Sequence, residues 1–361
     1  MGSNPIVPTF FIKMIILDCS YGEAGGQIVR TALALSTITG KPFEAINIRK
    51  GRKVSGLKAQ HTKCVKALEK LAGAKAEYAV IGSEILNYNP GKIRPQTLTI
   101  DIGTAGSISL LLQAILLPCF FSEGKTTLKI TGGTSGKWAM PYDFFANVLV
   151  PQLRRYCKSI DVKLEKRGYY PKGGGKIALK IVPLEEKNFP SLELTEQGKL
   201  IQIKGISHAA KLLEKAEVAD RQAKAAKMLL NKFEVPINID VEYCDTLSAG
   251  SGITLWAVFS KDGEETDSLH PIILGADSLG EKGKKSEDVG KEAAEQLIKE
   301  IESKAPVDSH TADNLIPFLA VGGGKIKVSK ITNHTKTNIW TCEQFLEKKF
   351  EVDEEHNTIS F

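Results

Sequence analysis

The chain has six cysteines, at positions 19, 64, 119, 157, 244 and 342, but no C-x-x-C pair among them. That spacing argues against a zinc site and against the disulfide framework of a secreted protein. Several of these cysteines lie in apolar runs, where they read as buried free thiols, and a cytoplasmic location is expected. No apolar run approaches the roughly 20 residues of a membrane span. The longest, "SLLLQAILLPCFF" (109–121), is interrupted by Gln and Pro and reads as a buried helix, so no membrane partner is expected. The opening thirteen residues lack the charged region and cleavage pattern of a secretory signal and are set aside from the fold reasoning. H-E-x-x-H, G-x-S-x-G and a Walker A loop are all missing, which removes the commonest signatures of metalloproteases, α/β-hydrolases and P-loop enzymes. Arginine is scarce beside lysine.

What is present is the composition of a globular protein of 361 residues, 42% hydrophobic and 25% charged, with a mild formal charge of +6. That charge is compatible with nucleotide or nucleic-acid partners without demanding them. The pattern is internally repetitive. "MIILDCSYGEAGGQIVRTALALSTITGKP" reads as strand, glycine turn and amphipathic helix, and "QTLTIDIGTAGSISLLLQAILLPCFFSEGK" repeats that order. Each is followed by a further strand and helix, and Gly-Lys-Ile recurs at 91–93, 175–177 and 324–326. The expected fold is therefore α/β (α+β), with three related modules. Acidic "PLEEKNFPSLELTEQGK" (183–199) reads as a linker into a small inserted α/β domain. The expected boundaries are 14–184 for modules one and two, 185–275 for the insertion and 276–361 for the third module.

Four segments could carry chemistry. "GEAGGQIVR" (22–30) lies between a strand and a helix, where glycines let backbone N–H groups approach a phosphate. Within it Glu23 could bind a hard cation and Arg30 would project from the helix; a tight turn with a solvated carboxylate fits equally well. "IRKGRKVSGLKAQH" (48–61) is a basic loop entering a helix, in which Arg49 and Arg52 suit bidentate contact with phosphates. Gln60 and His61 stand early in that helix, His61 reading more readily as structural. "RGYYPKGGGKI" (167–177) demands an unusual backbone path and reads as a structural hairpin or bulge. Finally, "SHTADNLIPFLA" places His310 just ahead of an apparent helix start, with Thr311, Asp313 and Asn314 as cap-type residues. There an imidazole would stay neutral and nucleophilic and could lie beside a bound anion. An ordinary polar loop histidine fits the same pattern.

"RGYYPKGGGKI", "GEAGGQIVRTALALSTITGKPFEAINIR" and "SHTADNLIPFLA" closely resemble the signature blocks of the RNA 3′-terminal phosphate cyclase family, from about Met14 onward. The resemblance implies three βαβαββ-type modules with an inserted thioredoxin-like domain. It implies ATP-dependent conversion of an RNA 3′-phosphate end to a 2′,3′-cyclic phosphate, through a covalent adenylyl group on His310. By the same resemblance Glu23 is the metal residue, for Mg or Mn. Arg30, Arg49 and Arg52 would bind phosphates or the RNA end, with Gln60 and His61 near the same pocket. Gln113, Pro141, Tyr142 and Asp143 would belong to the nucleotide region. GTP in place of ATP stays open, and a homodimer is compatible with the resemblance. Three other readings stay in view: a noncatalytic cyclase-like protein of ribosome biogenesis, an enolpyruvyl transferase built on the same modules, and an RNA-binding module without chemistry. His310 speaks against the first, since that branch looks to lack it.

Overall fold

A computed structural model describes residues 14–103, 105–263, 267 and 271–361; the opening thirteen residues lie outside these. The first unit runs β1 (Ile15–Asp18), α1 (Gln27–Thr39), β2 (Phe43–Ile46), α2 (Ala59–Ala72), β3 (Lys75–Glu77) and β4 (Leu86–Asn89). Its sheet has the order β1-β2-β4-β3, with β1 and β2 parallel and the other pairs antiparallel. The second unit is β5 (Thr97–Asp101), α3 (Ile108–Phe120), β6 (Thr126–Gly132), α4 (Tyr142–Phe144), α5 (Val150–Leu153), β7 (Cys157–Lys166) and β8 (Gly175–Pro183). Its order, β5-β6-β8-β7, repeats the first with the same strand directions. Each parallel pair needs a crossover helix, which α1 and α3 supply. Gly40, with φ 71°, closes α1 in the left-handed conformation that glycine adopts at least cost.

The third sheet begins with β9 (Leu192–Leu194), inside the stretch read above as a linker. Its Leu-Glu-Leu buries both leucines, a short alternation hidden by the acidic surroundings. The chain then leaves this sheet for a second one, formed by β10 (Lys199–Ala210), α6 (Val218–Leu230), β11 (Ile237–Cys244), β12 (Ser251–Ser260), β13 (Ile272–Leu279) and α7 (Ser286–Glu302). Its order is β11-β10-β12-β13, and α6 and α7 pack against each other and the sheet. The 275/276 boundary falls within β13, and the pairing of β13 with β12 carries the small sheet on to α7. The chain returns through α8 (Ser309–Gly322), β14 (Gly324–Lys327), α9 (Asn333–Phe345), β15 (Glu351–Asp353) and β16 (Thr358–Ser360). The order β15-β16-β14-β9 again has one parallel and two antiparallel pairs. The protein is thus α/β with mixed sheets, three of them sharing one strand order.

The Gly-Lys-Ile triplets do not mark equivalent places. Gly91 follows β4, Gly175 opens a fourth strand and Gly324 opens a second one, so that part of the repeat is coincidental. The helices of the three units meet in the interior, where α1 packs against α3 and α9, and α8 against α9. A smaller apolar cluster of Phe144, Val148, Trp256, Val258 and Ile273 joins α4 to the inserted sheet. Among the described residues no helix is long and apolar enough to cross a membrane.

Candidate active site

Helix α8 starts earlier than the sequence suggests. Its cap is Asp308, whose Oδ1 accepts from the backbone N–H groups of His310 (3.0 Å) and Thr311 (2.7 Å). His310 is therefore inside the first turn, exposed, and not the residue ahead of the helix. Thr311, Asp313 and Asn314, taken as cap candidates, all lie beyond the cap. The other oxygen of Asp308 accepts from Gly275 N–H (3.1 Å) on β13, so the inserted sheet is bonded directly to the start of the His310 helix. Phe144 lies edge-on to the His310 ring, with centroids 6.2 Å apart.

A polar chain runs through the helix layer behind His310. Arg30, buried on α1, donates through Nε to Gln113 Oε1 (2.8 Å) on α3. Gln113 Nε2 donates to Asn314 Oδ1 (3.0 Å), and Asn314 Nδ2 donates to the His310 carbonyl (2.8 Å) and to Asp313 Oδ1 (2.7 Å). From the other side, Asn338 on α9 donates to the Asp313 carbonyl (2.6 Å) while accepting from Thr31 (2.6 Å). A recess lined by Thr31, Ser109, Gln113, Met140, Phe145 and Asn314 adjoins this chain. Burial raises the Asp313 carboxyl to about 7, against the opposing pull of His310. Asp308 and Asp277 are also raised, chiefly by burial.

His61 is fully buried at the third position of α2, where its Nδ1 accepts from the Lys58 N–H (2.9 Å) as half of a capping box. Burial, with Arg30 next, lowers its pKa to about 3, so the ring is neutral. With Nδ1 accepting, its single proton belongs on Nε2. That N–H lies 3.4 Å from Arg30 Nη1, which is itself only a donor. Two donors side by side without an acceptor between them make a natural seat for an anionic oxygen. Gly26 is what leaves the space: a Cβ there would lie 2.1 Å from His61 Nε2.

On the outer edge, Glu23 Oε2 is 3.2 Å from His334 Nε2 and 3.7 Å from Arg52 Nη2, which also donates to the Glu23 carbonyl (2.7 Å). His334 stands at the start of α9 and bonds through Nδ1 to Gln27 Oε1 (2.7 Å). Its pKa is lowered by burial, with Glu23 opposing and Arg30, Arg52 and His310 assisting. Arg49 is half-buried in a left-handed conformation (φ 58°), with its Nε unpartnered. The N-terminal ends of α1, α2, α8 and α9 thus lie toward one region, bringing positive dipole ends together, with α2, α8 and α9 capped by side chains and α1 without a side-chain cap. No group of three or more His, Cys, Asp or Glu among the described residues could by itself hold a metal ion.

Glu23, Arg30, Arg52, His61, Gln113 and His310 are therefore tied, directly or through the polar chain, to one region. Gln60 is half-buried on α2 beside His61. Pro141, Tyr142 and Asp143 sit on the Phe144 side. Pro141 caps α4, and Tyr142 is held against β7, its phenol raised to about 12 by burial. Asp143 receives both Nη atoms of Arg167 (2.7 and 3.0 Å), and Arg167 also donates to Glu242 Oε2 on β11 (2.7 and 3.0 Å). His208 on β10 approaches Asp143 (3.4 Å) and bonds Tyr169 (2.7 Å). This buried group ties the second unit to the inserted sheet. Sequence reasoning missed His334, Asp308, Asn338 and the role of Arg167. A Thr332 cap ahead of "NHTK", and Asp308 two residues before His310, were the available signals.

The fold and site define a class first: an α/β protein of repeated units in which helix starts and arginines converge on a place fit for phosphate. The comparisons with known proteins agree. A family model described as RNA 3′-terminal phosphate cyclase matches residues 21–352. Proteins named RNA 3′-terminal phosphate cyclase are similar along nearly the whole chain. That of Pyrococcus furiosus is 47% identical over 339 residues, 94% of this chain and 95% of its own. That of Caldivirga maquilingensis is 45% identical over 347 residues (94% of each), and that of Archaeoglobus fulgidus 41% over 342 (94% and 98%). The chain belongs to the RNA 3′-terminal phosphate cyclase family.

Proposed function

We propose that this protein converts an RNA 3′-terminal phosphate to a 2′,3′-cyclic phosphate at the expense of ATP, with His310 as nucleophile. The observation that carries the reading is His310 itself: exposed, in the first turn of a capped helix, backed by the Arg30–Gln113–Asn314 chain. A ring nitrogen of His310 forms a bond to the α-phosphorus as the α–β phosphoanhydride breaks and pyrophosphate leaves. An oxygen of the RNA 3′-phosphate then attacks the same phosphorus, breaking the P–N bond and joining AMP to the RNA end. The neighbouring 2′-hydroxyl oxygen closes onto the 3′-phosphorus, AMP departs, and the hydroxyl proton passes to solvent.

In these steps the protein contributes position and charge. Arg30 and the Nε2–H of His61 offer paired donors to a phosphate oxygen, and Arg52 adds a positive group at the rim. The Asp308 cap fixes the backbone of His310 before any ligand arrives. Glu23 is the carboxylate that would hold a divalent cation. A single carboxylate suits a magnesium-like ion that takes its remaining ligands from phosphate oxygens and water, and that ion would neutralise phosphate charge.

Incubation with α-labelled ATP and a divalent cation should place acid-labile label on the wild type and none on His310→Ala. An unlabelled wild type, or a labelled variant, would overturn the mechanism; the former would leave a noncatalytic RNA-binding protein. Glu23→Ala should raise the divalent-ion concentration needed for labelling. An unchanged requirement would remove Glu23 from the site.

A further inference from the structure

Two tight turns leave the second unit side by side. Ser135 and Tyr169 form a parallel bridge, after which each segment folds back on itself, through the Gly136–Ala139 bridge and the Tyr169–Gly173 bridge. Because the bridged segments run in the same direction, the turns that follow them project from the same end. One tip carries Lys137 and Trp138, the other Tyr170, Pro171 and Lys172. Trp138 is 93% exposed and Tyr170 77%, and Lys137 Nζ lies 5.8 Å from the Trp138 ring centroid.

These tips are held firmly at their bases. Thr134 N–H donates to the Gly168 carbonyl (2.9 Å), and Gly168 N–H donates back to Thr134 Oγ1 (3.0 Å). Lys172 N–H donates to Ser248 Oγ (3.1 Å), and Lys137 pairs with Glu281 (2.9 Å). Trp138 moreover holds a left-handed backbone (φ 60°), an uncommon state for a bulky residue and one that surrounding structure must impose. An aromatic ring presented on a pinned turn loses little freedom when it binds a flat partner. The first turn also leads directly into the site: Met140 accepts from Ser109 (2.6 Å), and Phe144 follows against His310.

We infer that the Trp138 and Tyr170 turns form a stacking platform for single-stranded RNA just upstream of the 3′-phosphate end. The exposed Trp138 ring with Lys137 near its face, itself paired with Glu281, and Tyr170 with exposed Lys172 two residues on offer flat apolar surface and positive charge on neighbouring tips, which suits bases and their phosphates; each base offers a flat face whatever its identity. A second copy of this chain docking about a twofold axis would instead bring like-charged lysines together. The inference rests on the function proposed above and adds to it where the body of the RNA lies.

The test is cyclisation of 3′-phosphorylated RNAs of roughly 2 to 12 nucleotides, a span that covers one such platform. The wild-type KM should fall as the RNA lengthens. In Trp138→Ala/Tyr170→Ala the KM for the longest RNA should rise about tenfold, with kcat and the dinucleotide KM unchanged. Trp138→Phe should restore most of the length dependence, because a ring returns. An unaltered length dependence in the double variant would overturn the platform, as would a changed oligomeric state on gel filtration with RNA affinity intact. Should the wild type show no cyclisation, the proposed function fails separately. Tryptophan quenching by the same oligonucleotides then still decides: loss of the quench in Trp138→Phe supports the platform, and a persisting quench overturns it.

Discussion

At the scale of single residues, the site depends on what is missing as much as on what is present. Gly26 has an ordinary helix-side backbone (φ −78°), so conformation does not demand glycine there. Space does, because a Cβ would strike the buried His61 ring. Gly26→Ala should cost about 1–3 kcal/mol, as overpacking does, and should push His61 away from Arg30. Thermal unfolding and ATP labelling measured together check this. A variant with wild-type stability and wild-type labelling would show that the ring moves aside freely. His310, the proposed nucleophile, is held differently: Asp308 and Asn314 bond to its backbone, not to its imidazole.

At the scale of elements, the motif "RGYYPKGGGKI" is a connector. It joins β7 to β8 and supplies Arg167 and Tyr169 to the buried group that ties α4 to β10 and β11. Burial works against the Arg167 charge, but Asp143 and Glu242 more than offset it, so its pKa is raised. Removing Asp143 leaves the buried Arg167 charge with only the part-exposed Glu242 to offset it. Asp143→Ala should therefore lose about 3–5 kcal/mol in urea unfolding. Asp143→Leu combined with Arg167→Met should recover much of that loss, because the charge is then gone from both sides. If the double variant is no more stable than the single, packing rather than charge holds the junction. Gly275 extends the same junction to α8 through Asp308, so the inserted sheet is coupled to the backbone of His310.

At the scale of the molecule, α8, α4 and the inserted sheet bring Asp308 and Asp313, Asp143 and Asp277 near one another in a poorly solvated place. The Asp313 carboxyl, raised to about 7 by burial near His310, Asp308 and Arg30, titrates far above an unfolded aspartate at about 3.9. The folded state then holds a proton that the unfolded state releases. Its contribution to stability is complete below about pH 4 and is lost as pH rises through about 7. Asp313→Asn has no such titration, so its thermal midpoint should gain on the wild type between pH 5 and 8. A constant difference across that range would show that the carboxyl is not raised.

Much of this fold can be read in the sequence, because it depends on local rules. Strand, glycine turn and amphipathic helix recur in order, and α3 falls where the apolar run 109–121 places it. The candidate site segments are also local, since loop glycines, clustered arginines and helix-start histidines are short-range signals. What the sequence could not assign was partnership over distance. β9 became a strand only by pairing with β14, more than a hundred residues away, and His334 joined Glu23 only because α9 packs on α1. Asp143, read as a nucleotide residue, has both oxygens turned to Arg167. By itself the sequence determined the α/β units, the glycine turns and the residue types able to handle phosphate, since propensity, periodicity and turn chemistry act between near neighbours. Only the tertiary structure decided which helix starts share one region, which charges are neutralised in the interior and which aromatic rings face water. Those outcomes follow from burial and packing between segments that the chain order keeps apart.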